Sequence, residues 1–558
     1  MLGKRSEQTL LFDVGNVYPL SLPESSFHGQ LARAASRLFK DEDFLSFYCA
    51  DFGRPSVPPS LLALMLILQH EAGVSDEEAV LRTAYDLRWA AVLGRLAGEP
   101  LCAKSTFQLF RAHLVLHDAV RVIFLSSLAE AKRAGLLKGK ALRLAMDTKP
   151  ITGRGAVEDT YNLLATGIQS LAAGLATRDR CKVDRWLRSH DLGRYTEPSI
   201  KGSADVDWSD QQARDAFLTQ IVADARRLLA MAGSDPAVRE ASELLRKLLL
   251  QDVEEGESSD GKPQARIKPG TSRDRIPSAT DPEQRHGHKN HSTSFNGSKS
   301  QIAVDIDSQI IVATDLLPGN AGDATGTLEL VEQAETNTDT PVSESLADCA
   351  FGDGDTRQQF ADAGRILIAK VPKSQHRNGL FSKSVFTVDP ETDTVTCPNG
   401  RTTSDFRQDA DGSKDFRFGT LCIGCPIRAL CTRSPRGRTI RVHPQEAMIQ
   451  IAREYQATPE GRTHLRERVV VEHRLARLGQ LGISQARYIG HIKTEFQLLM
   501  ASSVANFKRT WNWEQAKRKT AIAAAINARS VARLARIICS EAASRFIANM
   551  SKSAATAA

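Results

Sequence analysis

Along the first 137 residues apolar positions recur every three or four residues, the spacing of helices buried on one side. Residues 24–39 are amphipathic, 59–70 are apolar all round and predict a buried helix, and Ser75-Asp76-Glu77-Glu78 reads as a helix start with an acidic first turn. Lys104-Ser105-Thr106-Phe107 opens another helix, with Arg111 one turn on. Short helices joined by tight turns permit a helix-turn-helix, but most such bundles simply pack. The period changes at residue 138. Leu142, Leu144 and Met146 alternate with Arg143, Ala145 and Asp147, which predicts a strand whose last residue is a carboxylate.

Helical patterning returns over 156–250, notably 213–232 and 236–250. Residues 252–291 are polar and rich in Ser, Gly, Pro and charge, so they read as a linker or flexible loop. Ile302, Val304 and Ile306 then alternate, Asp307-Ser308 turns the chain, and 310–317 predicts the second arm of a hairpin. A helix over 328–334 follows, then a strand over 342–348 ending in a second carboxylate, Asp348. Next come a helix over 356–363 and a strand over 365–371. A loop-rich stretch occupies 372–443, and the chain is helical from Pro444, with Glu472 in the later half.

Without the insertions, the order is strand, hairpin, helix, strand, helix, strand, helix, which is the order of the RNase H-like fold. The predicted class is therefore an α/β RNase H-like core, a mixed sheet with flanking helices, built from 138–155, 292–372 and 444–506. An all-α domain (1–137) precedes it. A helical insertion with its linker (156–291), a small Cys-rich insertion (373–443) and a basic helical tail (507–558) complete the predicted organisation.

The chain has 558 residues, 41% hydrophobic and 25% charged, room for several globular domains and unlike collagen-like or disordered chains. Its longest apolar run, 61–68, is far shorter than the ~20 residues of a membrane span. Lys4, Arg5 and Glu7 precede any apolar run, unlike a secretory signal, so a cytosolic, nucleoid-associated protein is expected. Net charge is +7, yet residues 501–558 hold ten basic and two acidic residues, leaving the rest near neutral. A basic tail on a neutral body points to a polyanion partner or to a solvated helix.

Of nine cysteines, Cys397, Cys422, Cys425 and Cys431 cluster. The Cys-x2-Cys pair can chelate one ion from a single turn, with Cys397 and Cys431 completing a tetrahedral thiolate zinc site. A cytosolic compartment argues against disulfides. The irregular spacing leaves four unliganded thiols as the alternative.

Asp147, Asp348 and Glu472 are the carboxylates placed to converge on one sheet edge. Three such groups can hold two divalent cations about 4 Å apart, Mg²⁺ or Mn²⁺, one at the attacking and one at the leaving oxygen of a phosphodiester. Arg468, four residues before Glu472, shares its helix face. There it either makes a solvated ion pair or offsets the charge of a scissile phosphate.

With these residues in view, the chain resembles an insertion-sequence transposase of the DDE class, closest to the family numbered eleven-eighty-two. The resemblance rests on Met146-Asp147-Thr148-Lys149, residues 149–164 (KPITGRGAVEDTYNLL), 280–288 (TDPEQRHGH), 303–323 (AVDIDSQIIVATDLLPGNAGD), 346–354 (LADCAFGDG), 422–432 (CIGCPIRALCT) and 468–488. It implies that Asp147, Asp348 and Glu472 are the catalytic triad, with Arg468 beside them. It also implies binding of double-stranded inverted-repeat and target DNA, metal-dependent strand cleavage, joining of 3′-hydroxyls to target DNA, and a homodimer on paired ends. The chain departs from the Tyr-x2-Arg-x3-Glu-x6-Lys signature of related families: Leu465 stands at the Tyr position and Gly479 at the Lys position. Arg474 or Arg477 is the candidate for the missing phosphate contact. Trp511 and Trp513 with Lys517, Arg518 and Lys519 combine stacking with phosphate contact, or cap a core. The basic run Arg285-His286-Gly287-His288-Lys289 touches DNA or forms a solvated loop. Two rival readings stay open: a nuclease of the same fold that cuts without joining, and a decayed copy that only binds DNA.

Overall fold

The computed structural model describes residues 1–5, 22–49, 52–117, 119–257, 261–290, 292–372 and 378–555. Two compact units emerge: Met1–His113 with Val122–Lys138 and Ser503–Ala558, and Leu114–Arg121 with Gly139–Ser502. Among the described residues no single helix is long and apolar enough to cross a membrane.

The first unit is helical, and its helix starts follow the capping chemistry of the sequence. Ser26 accepts from Gly29 N at 3.0 Å to open Phe27–Leu38, and Ser75 accepts from Glu78 N at 3.1 Å to open Asp76–Tyr85. The apolar helix Pro59–Ala72, begun by a proline in its first turn, is buried from Pro59 to His70, as its all-round hydrophobicity predicts. Arg111 grips Asp76 through two hydrogen bonds of 2.7 and 2.6 Å and holds its carboxyl well below the usual carboxylate range.

The stretch read as a basic tail contributes to this unit's core. The helix His491–Ala555 carries Phe507 and Trp511, stacked with centroids 5.2 Å apart, and Trp511 also packs on Phe27 at 5.4 Å. Trp511 is 2% exposed, and its indole donates to Glu130 Oε1 at 3.0 Å. Burial pushes the Glu130 carboxyl up, but Arg133, Arg37 and the indole outweigh it and draw the pKa to about 2.

The second unit is built on a six-stranded mixed sheet. Its strands are β1 (Leu142–Thr152), β4 (Arg285–Asn290), β5 (Thr293–Asp305), β6 (Ile311–Pro318), β7 (Val342–Ala347) and β8 (Leu367–Ala369), with β2 (Val253–Glu257) and β3 (Pro263–Ile267) forming a separate ribbon. The order is β4-β5-β1-β7-β8, with β6 also on β5. β1 runs antiparallel to β5 and parallel to β7, and β7 is parallel to β8. The predicted hairpin is β5–β6, and helices Thr327–Thr338 and Gly354–Asp362 follow as the periodicity indicates.

Two expectations are corrected. β1 does not end at Asp147; it continues to Thr152, with Asp147 opposite Ile302 and Thr152 opposite Gly297. The long β5 carries it onward although Lys149 and Pro150 break the apolar alternation. Pro150 is tolerated because β1 has left its ladder with β7, whose register ends at Ala145↔Leu346. The polar stretch 252–291 is also not a loop throughout, since it contains β2, β3 and β4. Its polar groups are satisfied specifically: Arg275 binds Asp252 at 3.0 and 2.8 Å, and Ala265 N donates to Thr219 Oγ1 at 2.9 Å. Ala265 thereby joins the core that Leu171, Trp186, Tyr195, Leu218 and Leu245 form in the helical insertion.

Trp511→Ala should destabilise the first unit by ~3–5 kcal/mol, the usual cost of emptying a buried aromatic site. Urea unfolding followed by the unit's helical signal measures it, while truncation after Lys519 should leave that midpoint unchanged.

Candidate active site

Asp147 projects from the middle of β1, and Asp348 stands immediately after β7, where it caps a short turn by accepting from Ala350 N at 2.8 Å. The parallel register Ala145↔Leu346, extended two residues, brings these two carboxylates side by side at the sheet. Arg468 lies at the N-cap of the helix Val469–Gln480, and Glu472 in its first turn. Arg468 Nη1 donates to Asp147 Oδ2 at 2.9 Å, and Nη2 pairs with Glu472. The guanidinium is 12% exposed and Glu472 is 49% exposed, so one end of the bridge is buried and the other faces solvent. The structure thus links Asp147, Arg468 and Glu472 in one bridge and sets Asp348 beside Asp147, without closing the three carboxylates around one point.

Burial pushes the Asp147 carboxyl up to about 6 and the neighbouring charge of Asp348 adds to it, while Thr148 N and Arg468 oppose the rise. A carboxylate whose charge is unfavourable where it stands, beside a second carboxylate on the next strand, suits a hard divalent cation by donor chemistry. Among the described residues, no group of three or more His, Cys, Asp or Glu is placed to hold a metal ion. Glu472 is engaged by Arg468 instead.

A second set of contacts joins the same three elements one level down. Arg143 of β1, four residues before Asp147, donates to Glu344 of β7 at 2.6 Å and pairs with Glu467, which directly precedes Arg468. Glu344, four residues before Asp348, also meets His464 Nε2 at 3.0 Å, and His464 Nδ1 meets the Tyr455 hydroxyl at 2.8 Å. Sequence reading missed this network. Its signal is the repeated four-residue interval from charge to carboxylate, which keeps both on one strand face.

Lys149, also missed, follows Asp147 on the same face of β1 and donates to Leu475 O at 3.3 Å. Burial lowers its ammonium pKa, and the nearby charge of Lys289 lowers it further. Arg474 and Arg477 lie two and five residues beyond Glu472, on the other side of a helix that turns about 100° per residue. Arg477 donates to Gln480 at 2.8 Å. In the first unit, Lys517 sits 5.0 Å over the Trp513 ring, and Arg518 lines a cleft of about 120 Å³ with Arg33, Arg37 and Arg133, while Lys519 is exposed.

The four clustered cysteines line one small cavity, and their thiols are free. Arg438 N approaches Cys422 Sγ at 3.5 Å, and burial pushes the Cys431 thiol up. Phe386, Val395, Phe416 and Ile440 from two small three-stranded sheets pack around them.

Two stretches of the chain match known families. Residues 396–511 match the family model described as Transposase DDE domain, a span that contains Glu472, Arg468 and all four clustered cysteines. Residues 22–113 match a second model, Transposase domain (DUF772). Both are transposase domains, and together they are consistent with an insertion-sequence transposase of the DDE class; neither assigns a numbered family. No curated protein and no solved structure matches the chain.

A carboxyl whose pKa rises on folding binds a proton that the unfolded chain does not, here between about 3.8 and about 6. Its contribution therefore weakens the fold as pH rises through that window. Asp147→Asn should raise the unfolding temperature by a few degrees near pH 7.5, a gain that vanishes toward pH 4. Scanning calorimetry at the two pH values checks this, and added Mg²⁺ should stabilise the wild type but not the variant.

Proposed function

We propose that this chain is a DNA transposase with an RNase H-like catalytic core, which binds the inverted repeats of an insertion sequence, cleaves at their ends and joins the freed 3′-hydroxyls to target DNA. The observation that carries the reading is the Arg468 bridge, which ties Asp147 of a sheet strand to Glu472 of a helix beside Asp348. The two transposase-domain matches support it.

Asp147, Asp348 and Glu472 are the residues that would hold Mg²⁺ or Mn²⁺, two ions per site, which when bound supply Lewis acidity at the attacking and leaving oxygens. Arg468 offsets negative charge on the scissile phosphodiester and keeps Asp147 ionised until the substrate is seated. Arg143, Glu344 and Glu467 hold β1, β7 and the Glu472 helix in mutual register, so the reacting groups meet preorganised. No covalent enzyme intermediate is required, because water and then the 3′-hydroxyl act as nucleophiles. Lys517, Arg518 and Lys519 are assigned to the DNA backbone, and a homodimer supplies one site to each paired end. Cys397, Cys422, Cys425 and Cys431 line one cavity as free thiols and, as they stand, are not gathered as a metal-ligand set, so a structural zinc ion would have to draw them together.

With a labelled duplex carrying the flanking inverted repeat, Mg²⁺ should support nicking at the repeat terminus, and Asp348→Ala should lose at least 10³-fold in rate. Specific binding without cleavage by the wild type would favour a decayed copy, and cleavage that survives Asp348→Ala would displace the site. Nicking without strand transfer would leave a nuclease. For the cysteines, native mass spectrometry should find one zinc per chain, lost in Cys425→Ser; a metal-free wild type would assign these thiols to packing alone.

A further inference from the structure

Lys149 is held in an unusual place. Its ammonium occupies the space that a side chain at Gly479 would need, since a Cβ built there would come within 2.5 Å of Nζ. Gly479 lies seven residues after Glu472, two turns along the same helix face. Lys149 also shares the strand face of Asp147, about 7 Å farther along β1 at ~3.3 Å per residue. Leu475 O, in the later half of the helix, accepts from the ammonium at 3.3 Å and aims it along that face. One of its three donor hydrogens is thereby used, and the remaining two are free for another acceptor.

The basic run on β4 joins this cation. In the antiparallel registers Lys149 lies opposite Ser300 on β5, while His286 and His288 lie opposite Asn296 and Ser294. Positions an even number apart on β5 share a face, so both histidines stand on the Asp147 side of the sheet. Two strand spacings, about 10 Å, separate β4 from β1 across the sheet, and the registers place His286 and His288 about 13 and about 20 Å farther along it. A register shift between His288 and Asn290 brings in Lys289, the residue whose charge reaches Lys149. Among the described residues, neither lysine pairs with a carboxylate, and the charge that acts on Lys149 is that of Lys289. Two cations kept close together without an internal counter-ion, in line with a carboxylate site, form a surface for an anion with repeating charge.

We propose that Lys149 binds the backbone phosphate next to the scissile phosphodiester, and that His286, His288 and Lys289 of β4 continue the track for the same DNA strand. The inference rests on the transposase reading and specifies where its substrate strand enters. The glycine at 479 is part of the device, because it leaves the helix face open for a cation delivered from the neighbouring strand.

The test uses the full-length protein and the inverted-repeat duplex at several salt concentrations. Lys149→Ala should weaken binding about tenfold and reduce the slope of log K against log[salt] by about 0.9, the loss of one phosphate contact. The double variant Lys149→Ala, Gly479→Lys places a lysine on the helix side of the same space and should restore the slope. An unchanged slope in Lys149→Ala, with any loss of binding matched by a lower unfolding temperature, would make Lys149 a helix anchor and overturn the proposal. The transposase reading fails separately: a wild type that never cleaves refutes it, and strand transfer that Asp348→Ala abolishes upholds it whatever Lys149 does.

Discussion

The site turns on the cost of keeping Asp147 charged. It is 18% exposed by its side chain, has Asp348 as its neighbour on the adjoining strand, and loses the water that would stabilise its charge. Arg468 is the countercharge. Because the same guanidinium reaches Glu472, satisfying Asp147 also fixes where the helix Val469–Gln480 sits on the sheet. Arg143, Glu344 and Glu467 repeat that tie between the same three elements at a lower level. The lower tie shares no residue with the upper one, so it can hold these elements together if Arg468 lets go of a partner. Because Glu472 is half-exposed, solvent screens its side of the pair with Arg468, which makes this the easier half of the bridge to open.

Much of this was legible where periodicity and burial agree. The β5–β6 hairpin, β7 ending before Asp348, and the all-buried helix Pro59–Ala72 follow from apolar alternation or its absence. The reading failed where partners outside the local sequence decide. β1 passes through Asp147 because β5 offers it a long ladder, although Lys149 and Pro150 are poor strand signals. Residues 252–291 look solvated by composition, yet Asp252, Thr219 and Gln251 supply partners for them from the helical insertion. For Trp511 the sequence left DNA stacking and core capping both open, and its burial at 2% exposure selects the core.

The site was legible in its carboxylates and obscure in its cations. Asp147, Asp348 and Glu472 could be placed from the order of elements alone, since that order fixes which strand ends meet. Lys149 could not, because its place depends on the missing side chain at Gly479, 330 positions away in number and visible only in space. A missing side chain carries information only when something else fills its volume. Arg474 and Arg477, which proximity in sequence to Glu472 favoured, lose that advantage once the helix turns them away.

The discontinuity of the first unit has a consequence for how the protein is made. Trp511 donates to Glu130 across 381 residues, and Gln515 reaches Ser25 O across 490. A ribosome making this chain releases the early helices long before the aromatic wedge that closes their core exists. Those helices must wait, with Phe27 uncovered by the indole, until synthesis has passed Trp511. A product that stops short of Trp511 therefore leaves this core unsealed and open to cellular proteases.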